Sequence, residues 1–279
     1  MADLSGVHFE YGGVSSRLYG LITANVETTR FTKVAGDISG VTIYNKKNRR
    51  RYLIDNDSSD SPLSFELDIV TDDERPLEFN ERRQIEKWLF NRGQYKKFYI
   101  DMEDDCLGET TELIDGVQKR LYMNCRFINP ERLEYNGGIV GYKVTMETDS
   151  CMWWQEPVTK TFTISAPNST SVTTTNFTVT TDSDLDDYIY PKFTITAAGA
   201  TGEVRIINNS DDAYRIFSIV TVGEGAPITI NSETNYISSG VYSTLNNKNF
   251  PRLLDGDNVF TIQGCVASVQ VEFQNRRNL

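Results

Sequence analysis

The sequence contains one histidine, His8, and four cysteines, no two of them at C-x-x-C spacing. That scarcity argues against the common zinc sites, which need four Cys or His ligands at characteristic spacings. A Ser-His-Asp triad or a histidine metal centre would rest on His8 alone, which lies between Val7 and Phe9 and reads as an ordinary strand residue. Cys106, Cys125, Cys151 and Cys265 in 279 residues do not make a disulfide scaffold. They read as half-buried thiols, since free cysteine is among the most buried residue types. Also missing are G-x-S-x-G, the Walker-type G-x-x-x-x-G-K-[ST], H-E-x-x-H and a G-x-G-x-x-G after a strand. Their absence removes the commonest hydrolase, NTPase and metalloprotease readings. No apolar run approaches the roughly 20 residues that span a bilayer. The first residues, Met1-Ala2-Asp3-Leu4-Ser5-Gly6, lack the basic-then-apolar pattern of a secretory signal. Synthesis in a cytoplasm, with no metal, cofactor or membrane, is the expectation.

Basic residues are also short: 28 Lys and Arg face 39 Asp and Glu, for a formal net charge of −11. Proteins that grip nucleic acid need a basic surface to displace counterions from phosphates, so general nucleic-acid binding is not expected. Carboxylates gather at Asp55–Asp60, Asp101–Asp105, Asp182–Asp187 and Asp255-Gly256-Asp257. The first of these looks slightly like a calcium loop but lacks the glycine and the distal glutamate at EF-hand spacing. Paired carboxylates can hydrolyse glycosides only where two carboxyls face each other, which spacing does not show. The one basic run is Lys46-Lys47-Asn48-Arg49-Arg50-Arg51, between two strand-like segments at a hairpin tip or exposed edge. It reads as a solvated face, as a contact with the acidic surface of a neighbouring subunit, or as a nucleic-acid patch. Lys46, Lys47, Arg49, Arg50 and Arg51 are therefore the candidate assembly contacts. Trp153-Trp154 resembles a sugar-stacking pair, but adjacent residues on a strand point to opposite faces. A hydrophobic anchor at a domain junction is the preferred reading.

Core material is plentiful. Hydrophobic residues make up 39% of the chain, charged residues 24%, and 14 Tyr, 14 Phe and 3 Trp are spread along its length, as a globular chain of two domains requires. Period-2 alternation at Val41–Tyr44, Leu63–Ile69 and Val140–Met146 predicts half-buried strands. Helical spacing is convincing once, from Asn80 to Asn91. Ile85, Trp88 and Leu89 share a face, Asn80 is the expected N-cap and Gly93 follows the end. Composition shifts near Trp154 to a Thr-, Ser- and Val-rich stretch with strand patterns at Thr159–Ile164 and Phe177–Thr180. Beyond it, strand patterns recur at Lys192–Thr196, Gly202–Ile207, Ile216–Val220, Ile228–Ile230, Asn258–Ile262 and Val269–Phe273, separated by turns. Short strands at this spacing predict a β-sandwich. The expected fold is mainly β, with an α+β first half at 1–155 and a C-terminal β-sandwich at 156–279.

These segments, in this order, resemble the family of phage distal tail proteins. The resemblance is carried in the first half by Ser61-Pro62-Leu63-Ser64-Phe65-Glu66-Leu67, the helix Arg82–Phe90 with its Trp88-Leu89, Tyr95-Lys96-Lys97-Phe98-Tyr99-Ile100, and the closing strand Gly137–Ser150. In the second half it is carried by Tyr190-Pro191-Lys192-Phe193-Thr194-Ile195, Leu254–Ile262 and Val269–Phe273. The resemblance implies an N-terminal belt domain that closes into a homo-hexameric ring and a C-terminal sandwich of galectin-like type. It further implies a virion location at the tail tip, a tail tube protein above, a tail-associated hub protein below, contact with receptor-binding or accessory tail proteins, and DNA passing through the lumen. Two other function classes stand beside this structural one. A lectin-like adhesion module would need aromatic and polar residues on one sandwich face, which strand register decides. A cell-wall glycosidase has the least support, with a lone histidine and no recognisable motif.

Overall fold

A computed structural model describes residues 6–24, 41–45, 50–55, 62–90, 94–104, 108, 110–164, 173–184, 187–198, 202–212, 215–221, 227–238, 247–264 and 266–277. The chain divides into two compact units, Met1–Trp154 and Gln155–Arg277.

In the first unit the elements are β1 (Phe9–Tyr11), β2 (Val14–Ser15), β3 (Leu21–Ala24), β4 (Val41–Asn45), β5 (Arg50–Asp55), β6 (Ser64–Thr71), the helix α1 (Phe79–Leu89), β7 (Lys96–Ile100), β8 (Thr111–Ile114), β9 (Val117–Tyr135), β10 (Gly138–Thr148) and β11 (Trp153–Gln155). Seven of these strands make one antiparallel path in the order β2-β1-β7-β9-β10-β6-β3, while β8 pairs with β9, and β4 pairs with β5 as a separate ribbon. Alternation decides what each strand buries. Phe9, Tyr11, Phe98, Leu121, Met123, Cys125, Phe127, Tyr142, Val144 and Met146 all enter one core. Glu10, Lys97, Arg126, Lys143 and Glu147 take the intervening positions on the other face.

α1 lies on the apolar face. Ile85 and Leu89 are fully buried there, and Trp88 stacks on Phe9 with centroids 5.8 Å apart and donates from Nε1 to the carbonyl of Tyr11 at 2.9 Å. The helix starts earlier than the Asn80 cap predicts. Leu77 is pinned by its N–H to the carbonyl of Ile139 at 2.7 Å, so the chain turns helical at once. Glu81, clamped by Arg75 through two bonds of 2.8 Å, accepts from the N–H of Glu78 at 3.2 Å. A glutamate reaching back at N3 thus supplies the cap interaction, and Asn80 sits inside the first turn. Gly93 lies outside the described residues.

Two hairpins owe their register to two-residue loops. Asn136-Gly137 (φ 51° and 81°) joins Tyr135 to its partner Gly138, and Asp115-Gly116 (φ 51° and 76°) joins Ile114 to Val117. Positive φ at both positions is the type I′ geometry that matches strand twist, and it selects Asn, Asp and Gly. Along β9 and β10 the register slips twice, once near Gly141 and once opposite Asn129-Pro130. Asn129 takes φ 52° there, so the proline sits in a bulge and withholds no ladder hydrogen bond.

The second unit contains β12 (Val158–Thr163), β13 (Thr173–Thr181), β14 (Lys192–Ala197), β15 (Gly202–Asn208), β16 (Ile216–Thr221), β17 (Pro227–Asn231), β18 (Tyr236–Ile237), β19 (Asn247–Lys248), β20 (Gly256–Gly264), β21 (Val266–Phe273) and β22 (Arg276–Arg277). Two antiparallel sheets, β12-β21-β14-β17-β18 and β13-β20-β15-β16-β19, face each other as a sandwich. Phe162 of β12 stacks on Phe177 of β13 at 4.5 Å, and Phe193 of β14 meets Phe260 of β20 edge-on at 5.5 Å, so aromatic rings from both sheets fill the core.

Candidate functional site

His8 sits one residue before β1 and joins two loops. Its backbone N–H and Nδ1 both contact Asp104 Oδ2, at 2.6 and 2.7 Å, and its Nε2 lies 3.7 Å from Asp72. The carbonyl of His8 accepts from the N–H of Asp101 at 2.9 Å. Arg17 closes the cluster, donating to Asp101 at 3.0 and 3.2 Å and to Asp104 at 3.0 Å. Burial works to raise the pKa of both aspartates, but hydrogen bonds outweigh it and hold both below the usual carboxylate range. Asp101 receives them from Arg17 and the backbone of Glu103, Asp104 from the backbone and ring of His8. The histidine thus acts as a structural tie. Ser16, fully buried, spends its hydroxyl accepting from the N–H of Phe9 at 2.9 Å.

Folding brings the Asp182–Asp187 and Asp255–Asp257 clusters together and gives each described carboxylate there a partner. Asp182 and Asp184 take Arg277 at 3.0 and 3.3 Å, and Asp187 takes Arg276 at 3.5 Å. Asp255 accepts from the N–H of Ser183 at 2.9 Å, and Asp257 from Thr180 Oγ1 at 2.7 Å. These groups fasten loops of the sandwich. Asp55 ends β5, and residues 56–60, 105 and 185–186 lie outside the described residues. Asp72, Asp73 and Glu103 keep exposed side chains (44%, 56% and 80%) near the His8 cluster; Asp73 and Glu103 reach Arg75 and Arg17 at 3.6 and 3.4 Å, but with Asp101 and Asp104 the carboxylates outnumber these two cations, giving the first unit an acidic patch. Ion pairs such as Arg126–Glu147 at 2.6 Å, Lys143–Glu66 at 2.7 Å and Arg120–Glu10 at 2.9 Å cross the sheet face opposite α1, which is mixed in sign.

Of the basic run, Arg50 and Arg51 open β5 opposite Asn45 and Tyr44 of β4, while Lys46, Lys47 and Arg49 lie outside the described residues. Trp153 and Trp154 do not share a surface. Trp153 is in the first core at 5% exposure, and Trp154 donates from Nε1 to Ser150 Oγ at 3.0 Å.

The register also reveals a constellation that sequence reasoning missed. Asn258, fully buried in β20, accepts at Oδ1 from Leu254 N–H (2.8 Å) and Asn208 Nδ2 (2.9 Å), and donates to the carbonyls of Leu254 (2.8 Å) and Gly256 (3.1 Å). This is the physical content of the Leu254–Ile262 motif: one amide ties the turn before its own strand. The same network holds Arg252, whose carbonyl accepts from Asn208 Nδ2 at 2.9 Å. Arg252 in turn grips Asp211 through Nε and Nη2 at 2.7 and 3.0 Å and lies 3.5 Å above the centroid of the Tyr188 ring. The bond from Arg252 is the main cause that holds Asp211 below the usual carboxylate range. Tyr190 was visible as part of a motif, but Arg252 lies 62 residues further on, and only the fold brings them together.

The described residues thus define a class: an antiparallel sheet unit crossed by one helix, followed by a two-sheet sandwich. The Dit protein of phage SPP1, described as a paradigm of the hub adsorption apparatus in Gram-positive-infecting phages, is similar to it. The TM-score is 0.63 at 10% identity, over 97% of this chain and 98% of that one. A protein of the activated, strontium-containing phage p2 baseplate is similar at TM-score 0.54 and 10% identity, over 98% and 99%. The family described as phage tail protein N-terminal domain matches residues 4–150, and that described as phage tail C-terminal domain matches residues 158–273. The chain therefore belongs to the phage tail protein family, and its resemblance to distal tail proteins is borne out in fold. It is a structural protein of the phage tail, and so a component of the virion. No curated protein matches it.

Proposed function

We propose that this chain is the ring subunit of a phage tail tip or baseplate. Six copies close into a hexamer through residues 1–155, joining the tail tube protein above to the tail-associated hub protein below. DNA passes through the lumen, and the galectin-like sandwich at 156–279 faces outward toward receptor-binding or accessory tail proteins. The observation that carries this reading is the agreement of family and fold across both halves of the chain.

Charge supports it. A closed ring is built head to tail, so each subunit needs two different, complementary patches. The run Lys46, Lys47, Arg49, Arg50 and Arg51 supplies a basic one, and the carboxylates around Asp72, Asp73 and Glu103 supply an acidic one. A net charge of −11 also suits a channel that must pass DNA without gripping phosphates. Light scattering of the purified full-length protein, with negative-stain images of the same sample, tests the reading. Six-subunit mass and a central hole are expected. A protein that stays monomeric both alone and with the hub protein overturns it.

A further inference from the structure

Asp68 lies within β6 on the sheet face opposite α1, because its neighbours Leu67 and Ile69 both enter the first core. It is only 6% exposed. Lys143 of β10 stands directly across the ladder from it, yet that lysine turns along the face to Glu66 at 2.7 Å. On the other side the register partner is Ala24 of β3, whose side chain has no donor. Among the described residues no hydrogen bond or ion pair reaches the Asp68 carboxylate, and Lys143 and Glu66 act on it only through space. Asp211, a comparably buried carboxylate of the second unit, instead holds Arg252 at 2.7 Å and Arg215 at 3.5 Å. With Glu131 of β9 opposite Lys143 as well, three carboxylates surround one lysine.

A buried carboxylate without a partner destabilises its own subunit, and such charges are kept where something pairs them. We propose that Asp68 is the seat for a lysine or arginine of a neighbouring copy, presented by the run Lys46-Lys47-Asn48-Arg49-Arg50-Arg51. This rests on the ring reading and names one contact of its seam. So little of Asp68 is open that the occupant must be slender, as the apolar stem of a basic side chain is. A lone carboxylate falls short of the six or more oxygens that a calcium ion takes. The seat is also continuous with the acidic patch. Asp72 follows β6 at about 13 Å from Asp68 by strand rise, a span that the six-residue basic run covers. Burial pushes the Asp68 carboxyl above the usual carboxylate range; Lys143 opposes that shift and Glu66 adds to it. A seated cation favours the ionised form, so assembly releases a proton and strengthens as pH rises through the raised value.

The test compares the full-length protein with Asp68→Asn by light scattering over a concentration series, and by thermal melting at a dilution where both are monomeric. The variant is expected to need about tenfold or more protein to assemble, while its monomer melts no lower than the wild type, since a neutral amide removes the cost of the buried charge. The wild-type ring should weaken as pH falls through the raised Asp68 value, and the part of that loss above the usual carboxylate range should vanish in the variant. Three results overturn the proposal: assembly of Asp68→Asn as tight as the wild type, a monomer that melts lower and so assigns Asp68 to its own fold, or an acid loss unchanged by the substitution. Failure of the ring reading looks different, since the wild type itself would then stay monomeric at every concentration, and the seat would fall with it.

Discussion

At the scale of single residues, the polar groups that look most like chemistry are fasteners. Asp104 holds the backbone and ring of His8 and one nitrogen of Arg17 at once. Its folded pKa is lowered, as is that of Asp101. Each therefore contributes stability that is present above the unfolded carboxylate value of about 3.9. That contribution is lost as pH falls through the lower folded value. Asp104→Asn keeps an acceptor but removes the charge, so it should cost about 1–2 kcal/mol at neutral pH. It should also flatten the loss of stability between pH 5 and pH 2, as read by urea unfolding at a series of pH values. A steep acid limb unchanged in the variant would assign the titration to other carboxylates. Asn258→Ala should cost more, about 3 kcal/mol, because several buried backbone and amide groups lose their partner at once. Thermal melting of the two variants side by side checks the order.

At the scale of elements, strands and helix obey packing that is simple to perturb. Leu89 is buried in α1, and Leu89→Ala should cost about 2–5 kcal/mol, while Gln84→Ala on the exposed side of the same helix should cost nearly nothing. Gly141→Ala should be severe for its size, since a Cβ there would lie 2.2 Å from the carbonyl oxygen of Ile69 on the neighbouring strand. Denaturant midpoints of the three variants read this directly. Elements with clean periodicity were legible beforehand. The alternation at Leu63–Ile69 becomes β6, the helical face of Ile85, Trp88 and Leu89 becomes α1, and the strand patterns from Lys192 to Phe273 become β14 to β17, β20 and β21. β9 was not legible, because the left-handed Asn129 and Pro130 interrupt its pattern at a bulge that only pairing with β10 explains. The Asn80 cap was misplaced because Arg75, outside the helical window, orients the glutamate that reaches back. The Tyr188, Asp211 and Arg252 cluster was invisible for a related reason: three distant segments meet only after the two sheets are registered.

At the scale of the whole molecule, the proposed ring makes its own demand on charge. Contacts between a basic run and an acidic patch weaken as salt shortens the screening length from about 8 Å at 0.15 M to about 3 Å at 1 M. The proposed hexamer should therefore lose mass over that range if its seam is electrostatic, and hold if it is mainly apolar. In the proposed ring, reversing Arg50 and Arg51 together to Glu would set like charges against Asp72, Asp73 and Glu103 at each repeated interface, where like-charge juxtaposition costs several kcal/mol. The double variant should run as a monomer by light scattering, with unchanged melting because β5 keeps its pairing with β4. Restoring assembly by reversing Asp72, Asp73 and Glu103 to Lys in the same chain would identify the two patches as partners. A hexamer that survives the arginine reversal would remove the basic run from the seam and leave ring closure to apolar contacts or strand pairing. A fragment of residues 156–279 separates the two ideas further. Its two sheets bury their own core, so it should be folded and monomeric, and a hexamer formed by that fragment would move the ring from the first unit to the second.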